Sequence, residues 1–333
     1  LGPKDSERLR KAAKCAIDDP NVFALIEWAR PALEAIREAA TLDRCDWGKE
    51  IVTSDDLGAD HLDACGVNVI SAACLSARRH SELGRGRDAL DNVFAGLTLA
   101  HRVGTGGCLF ARVLECGGEI QAFQTLGRIL PRLKRADLDD LARRLDALPA
   151  PEPASAAIGP ESRFIMAEYR AKLTAIGPTL GDAEFTELGF NDEDTATLKQ
   201  LTGGDREKLL SHLEATGPAF AELARRLDLP RPGCWAALDD FAKAERTRHP
   251  IAAALVEHAL GIRHVVDRMR AVRSILRAGL VLVRDGEPAF RAKSDPFRTG
   301  AFGLERRGKG YLIRSALNDP GRPEVSLEIG HVT

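Results

Sequence analysis

The sequence predicts a mainly α protein: a helical-hairpin array of the tetratricopeptide-like kind, ending in a small C-terminal antiparallel β hairpin or sheet. Three observations predict it. Alanine, leucine and arginine dominate, and all three favour helix by intrinsic propensity. Apolar residues recur at i, i+3 and i+4 over most of the chain. After Asp285-Gly286 that period gives way to short alternating runs around Arg307-Gly308-Lys309-Gly310, the pattern of a hairpin.

Residues 4–18 and 21–42 read as two helices parted at Asp19-Pro20, the second carrying Val22, Leu25, Ile26, Ala29, Leu33 and Ile36 on one face. Pro31 kinks that helix or opens a new one. A polar stretch over 43–56 contains Ser54-Asp55-Asp56, an N-cap signal. Leu62, Cys65, Val69, Ala72 and Ser76 begin the first of three long helices. Val93, Leu97 and Ala100 mark the second, and Leu109, Val113, Cys116, Ile120 and Phe123 the third. The breaks fall at Leu83-Gly84-Arg85-Gly86 and at Gly104-Thr105-Gly106-Gly107. Short glycine turns between antiparallel helices, with Ala72, Ala73, Gly96, Ala100, Gly117 and Gly118 permitting close approach, form a helical-hairpin unit. A shorter helix spans 136–148. Further helices are expected at 160–176, 192–202, 205–228, 235–247 and 250–284. Strands are expected at 302–306, 311–315 and 324–329, packed on the last helix because a lone hairpin is marginal in water.

This organises the chain as an N-terminal helical-hairpin region (4–148), a proline-rich connector (149–158), a second helical region (159–285) and a β appendix (286–333). The connector, Leu148-Pro-Ala-Pro-Glu-Pro153, stiffens the chain and separates two layers or forms a loop within one array.

Composition excludes several classes. With 47 basic against 49 acidic residues the net charge is −2, without the concentrated basic face that nucleic acid requires. The cluster Arg132, Lys134, Arg135 is followed at once by Asp137, Asp139 and Asp140 and reads as a solvated helix end. No apolar run reaches membrane-spanning length; Ile251–Val256 and Ala278–Val283 come nearest. Leu1-Gly2-Pro3 resembles the remnant of a protease-cleaved tag, which would put any signal or anchor further upstream. The seven cysteines, Cys15, Cys45, Cys65, Cys74, Cys108, Cys116 and Cys234, form no CxxC pair and read as small buried hydrophobes.

Residues able to carry chemistry are few. Gly104-x-Gly-Gly107 opens a helix but follows a helix and lacks the Gly-Lys-Ser/Thr ending of a phosphate loop, so it reads as a tight turn. Glu115 and Glu119 stand at i, i+4 with Arg112 one turn earlier. Such a pair can share a proton or ligate a metal, although no Glu-x-x-His partner accompanies it. An Arg112–Glu115 ion pair is the simpler reading. His61 and Cys65 also stand four apart, but two ligands do not make a zinc site. The spacing of His258 and His264 puts them on opposite helix faces, away from each other. No Gly-x-Ser-x-Gly, His-Glu-x-x-His or kinase signature occurs. No metal and no cofactor are therefore expected.

The C-terminal stretch Asp295-Pro-Phe-Arg-Thr-Gly-Ala-Phe302-Gly-Leu-Glu-Arg-Arg-Gly308-Lys-Gly310-Tyr311-Leu-Ile-Arg-Ser315 resembles the ending shared by a group of exported helical-hairpin proteins of Planctomycetes. The Leu-Pro-x-Pro connector and Gly159-Pro-Glu161-Ser-Arg163-Phe164 are similar to the same group. That ending is in turn similar to the C-terminal β region of type II secretion pseudopilins, whose aspartate-rich loop binds calcium. The matching loop offers only Asn318, Asp319 and Glu324 as oxygen donors, and Arg322 intrudes. The resemblance implies an exported protein, periplasmic or membrane-anchored, with a cytoplasmic location as the alternative; it implies no activity. Within the motif, Phe297 and Phe302 would cover the sheet, Gly308 and Gly310 would supply positive φ, and Tyr311 a cross-strand aromatic.

The expectation for function is a non-catalytic scaffold with a protein or peptide partner held on a concave helical surface. The alternative is an enzyme or small-molecule binder with a pocket between helices, lined by Arg112, Glu115, Glu119, Glu161 and Arg163.

Overall fold

The computed structural model describes residues 3–12, 17, 19–42, 66–105, 107–318 and 322–330. The readings at Cys15, Cys45, Ser54-Asp55-Asp56, His61, Leu62, Cys65, Gly106 and Asp319 lie outside those residues.

Among the described residues the chain is mainly α, 74% helical, with a small antiparallel sheet toward its C-terminal end. Helices α1 (Pro3–Ala12) and α2 (Pro20–Ala40) come first, and α2 runs unbroken through Pro31. Asp19 caps α2 by accepting from Asn21 N. Next come α3 (Asn68–Glu82), α4 (Gly86–Gly104), α5 (Leu109–Ile129) and α6 (Arg135–Ala147). Beyond the connector lie α7 (Ile158–Ala175), α8 (Asp182–Glu187), α9 (Asp192–Thr202), α10 (Arg206–Glu214), α11 (Gly217–Leu227) and α12 (Arg231–Glu245). The 36-residue α13 (Pro250–Asp285) and the short α14 (Glu287–Arg291) complete the helices. The single helix expected over 205–228 is two, broken at Ala215-Thr216, because Gly217-Pro218 starts a new first turn.

Of the small residues of the first hairpins, Gly96 and Gly118 permit close helix approach, whereas Gly117, expected to do the same, faces open space. A Cβ on Gly96 would touch Ala73 Cβ at 3.5 Å, and one on Gly118 would come within 2.9 Å of Ile70 and 3.0 Å of Ala100. Helix α3 is buried on two sides: Ala72, Ala73 and Leu75 meet the α1–α2 pair, while Ile70, Cys74 and Ala77 join the main core.

That main core includes Leu90 and Val93 of α4, Phe123 and Leu126 of α5, Leu141 of α6, Leu223 of α11, Leu238 of α12 and Ile275 of α13. It crosses the connector without a gap: residues 149–153 are an extended link, Ala154–Ala157 a 3-10 turn and Ile158 the start of α7, on one continuous core. Helix α13 packs back on α5, α6, α11 and α12, unlike a solenoid in which each repeat touches only its neighbours. A satellite core of Leu173, Leu180, Phe185, Leu198 and Leu209 holds α8–α10.

Strands β1 (Gly303–Arg307), β2 (Gly310–Arg314) and β3 (Ser326–Ile329) pair antiparallel in sequence order, with Leu304 opposite Ile313 and Ile313 opposite Leu327. The sheet packs on α13 and α5. Ile329 and Ile313 lie against Gly279, and Leu327 lies against Gly127. Of the two hairpin glycines, Gly308 adopts positive φ (52°) while Gly310 is ordinary strand. Phe302 is buried, and Phe297 packs half-buried beside it. Glu324 of the loop compared with a calcium site is bound by Arg314 at 3.0 Å instead.

No helix among the described residues is long and apolar enough to cross a membrane.

Candidate functional site

The chemistry of the described chain concentrates where α4, α5 and α13 meet beneath the connector. The Gly104–Gly107 turn brings the last turn of α4 against the second turn of α5. A side chain at Gly104 would collide with Glu115, and one at Gly107 would lie 2.5 Å from Ala111 Cβ. Gly104 and Gly107 serve close packing, as a tight turn requires.

On α5, Arg112, Glu115 and Glu119 present one face, as i, i+3, i+7 spacing dictates. Arg112 is 3% exposed. Its Nη1 donates to Glu115 Oε2 and its Nη2 to the Glu152 carbonyl at 2.8 Å. The expected Arg112–Glu115 pair is therefore present, and it is buried. The second carboxylate oxygen of Glu115 lies 2.9 Å from Nδ1 of His101 on α4. This bond raises the imidazole pKa above its ordinary value, against the opposing effect of partial burial. One turn beyond, burial pushes the Glu119 carboxyl up to about 7, and the charge of Glu115 adds to the effect.

Helix α13 supplies the opposite wall through a row of arginines. Arg273 donates to the carbonyls of Pro149 (2.7 Å) and Leu148 (3.0 Å), Arg270 to those of Pro151 and Glu152, and Arg277 to that of Leu145 (2.7 Å). A proline-rich segment has carbonyls but few N–H groups to pair them, so outside donors must satisfy it. The guanidinium row thus holds the connector in place.

Not every group in the cluster is satisfied. Of the buried polar side-chain atoms without a hydrogen-bond partner among the described residues, three belong here: Arg112 Nε, Glu119 Oε2 and Arg273 Nε. His101, Glu115 and Glu119 also place one donor atom each within 4.8 Å of one another, a grouping able to hold a metal ion.

The five residues proposed from sequence separate into three roles. Arg112, Glu115 and Glu119 converge. Glu161 instead accepts from Leu109 N at 2.8 Å, capping α5 from α7 where Cys108 offers no side-chain cap. Burial raises the Glu161 carboxyl, and that amide bond opposes the rise. Arg163 is exposed and lines a shallow groove on α7 with Ser162, Met166, Ala167 and Arg170. Sequence reading missed His101, Glu152 and Arg273. The only available signal was His101 in the helical turn ending at Gly104, whose close packing on Glu115 is tertiary.

Among the described residues the other histidines lie away from this cluster. His249 stacks on His212 at 5.4 Å and His264 packs on Trp235 at 4.9 Å. Cys74, Cys108, Cys116 and Cys234 are buried free thiols, and burial pushes Cys116 up to about 12 and Cys74 up to about 11. Such thiols are inert.

Comparison with protein-family models, curated proteins and solved structures found no match.

Proposed function

We propose that the chain is a helical binding protein whose ligand is held at the α4–α5–α13 cluster. One observation carries this reading: Arg112 Nε, Glu119 Oε2 and Arg273 Nε, all buried, lack hydrogen-bond partners within one group of side chains. Each such atom costs about 1–3 kcal/mol, and three together favour a site built for something other than self-pairing. His101, with a side chain 36% exposed, gives solvent access. Without an activated nucleophile among these groups, binding is the chemistry they support.

The test is a thermal-shift survey of the purified protein against small polar molecules and ions. A ligand should raise Tm in the parent and not in Glu119→Gln. Equal shifts in both, or none in either, would dismiss the site.

A second reading, a scaffold for a protein or peptide partner, is favoured by the outer face of α5. Phe110 and Val113 are 37% and 38% exposed on successive turns, with open space around Gly117 one turn on. Peptides selected on the parent protein should lose binding to Phe110→Asp if this face is used, and keep it if it is not.

A further inference from the structure

We propose that His101, Glu115 and Glu119 are a three-ligand site for a divalent transition-metal cation. This inference rests on the reading above that the cluster binds a ligand, and it names the class of that ligand.

The donor set argues first. One imidazole nitrogen and two carboxylate oxygens suit zinc, manganese, iron(II) or cobalt, and three protein ligands leave a coordination position for water or a small molecule. The geometry argues second. His101 Nδ1 and Glu115 Oε1 lie 2.9 Å apart, close to the roughly 3 Å that separates neighbouring ligands when each bond to the ion is about 2.1 Å. An oxygen of Glu119 lies within 4.8 Å of one donor atom of each of the other two residues, and the soft terminal torsion of a glutamate allows it to swing closer.

The surroundings argue third. Ligating carboxylates need an outer group to fix which oxygen faces the ion. Arg112 does this by holding Glu115 Oε2, which turns Oε1 toward His101, and it is itself tied to the Glu152 carbonyl. Independently of the donor set, the Glu119 oxygen buried without a protein partner is the group a cation would satisfy.

The nearby guanidiniums do not forbid this. Arg112 is matched by Glu115 and by the half-exposed carboxylate of Glu152 at 3.7 Å, while Arg273 is turned to the connector carbonyls. Among the described residues no protein cation contacts Glu119 through a hydrogen bond.

The experiment uses the chelator-treated, dialysed protein titrated with cobalt(II), followed by visible absorption, with zinc and manganese titrated by calorimetry. One equivalent should bind. Affinity should fall in His101→Ala and in Glu119→Gln by more than the roughly 10–100-fold that loss of an outer partner of a ligand costs, and stay unchanged in Arg163→Ala, which lies outside the cluster. Circular dichroism establishes that each variant is folded. Should a variant not fold, X-ray absorption of the zinc-loaded parent decides, a nitrogen/oxygen shell without sulfur supporting the site. No stoichiometric binding, binding unaltered in both ligand variants, or a sulfur-containing shell overturns it. If the metals fail while another small ligand shifts Tm in a Glu119-dependent way, the cation inference falls and the binding reading stands. If nothing binds, both fall.

Discussion

Asp295, beneath the C-terminal sheet, and Glu119, between α5 and α13, are carboxylates drawn into the same core and treated in opposite ways. Asp295 is 3% exposed, and both its oxygens accept from Ser315 Oγ at 3.0 Å. Phe297 N donates to one of them at 3.0 Å and Ala316 N to the other. The group bridges the loop before β1 to the end of β2, and its lone pairs are met by oriented donors. Asp267 on α13 is similar, 1% exposed and gripped by Arg263 at 2.9 Å and Arg231 at 3.2 Å. Glu119 has an oxygen with no such donor and a second carboxylate one turn away. A carboxylate matched on all sides is explained by the fold it holds together. One buried against its own preference calls for a different explanation, and at functional sites local rules give way.

The largest expected effect tests the first half of that contrast. Asp295→Ala leaves Ser315 Oγ and the amides of Phe297 and Ala316 without an acceptor inside the core. It should lower unfolding free energy by about 3–5 kcal/mol, read from the urea midpoint. Asp295→Asn should recover part of the loss. A change below about 1 kcal/mol for the alanine variant would mean that the carboxylate does not pin the sheet.

A smaller effect probes what positions the second site. Gly104→Ala pushes a methyl group into Glu115 at the α4–α5 contact. Relief requires the ion pair or the helices to move, so a loss of about 2–3 kcal/mol is expected. On the same α5 helix, Gly117→Ala meets nothing within 4 Å and should gain up to about 1 kcal/mol from helix propensity. Opposite signs in thermal denaturation would tie the glycine turn to the site; like signs would break that tie.

How much of this was legible in the sequence follows from how local each feature is. The convergence of Arg112, Glu115 and Glu119 could be read because helical spacing alone puts them on one face. Glu161 and Arg163 were grouped with them for their charge and place in the chain, and tertiary packing sent one to cap α5 and the other to the surface. His101 and Arg273 come from other helices, and no period connects α13 to α5 across the connector. The connector is legible as proline-rich and stiff, yet its anchoring by Arg270 and Arg273 depends on where α13 folds back. Pro31 carried a break signal that α2 overrides, whereas Gly217-Pro218 carried one that the fold obeys. The C-terminal motif was read as a folding device from its glycines and aromatics. The bond between its first and last members, Asp295 and Ser315, spans twenty residues and shows only when the sheet forms.

A further effect has an unusual sign. Glu119 in the folded protein holds its proton up to about pH 7, while an ordinary glutamate releases it near 4.3. The folded state therefore binds the proton more tightly, and the stability this contributes is fully present below the unfolded value. It is lost as pH rises through the folded one. Glu119→Gln, neutral at every pH, escapes that loss. The variant should nearly match the parent at pH 4.5 and become the more stable by up to about 3–4 kcal/mol at pH 7–8, with the margin level above that. His101, whose pKa is also raised, tilts both curves in the same direction, and because the Glu119 charge is one cause of that rise the difference between them reports on Glu119 together with its coupling to His101. Urea unfolding at half-unit intervals from pH 4.5 to 8 gives the curve. A core polar residue whose removal stabilises the protein would mark Glu119 as kept for its chemistry. A loss of the size expected for Asp295→Ala would instead place both carboxylates in the same structural role and erase the contrast between them.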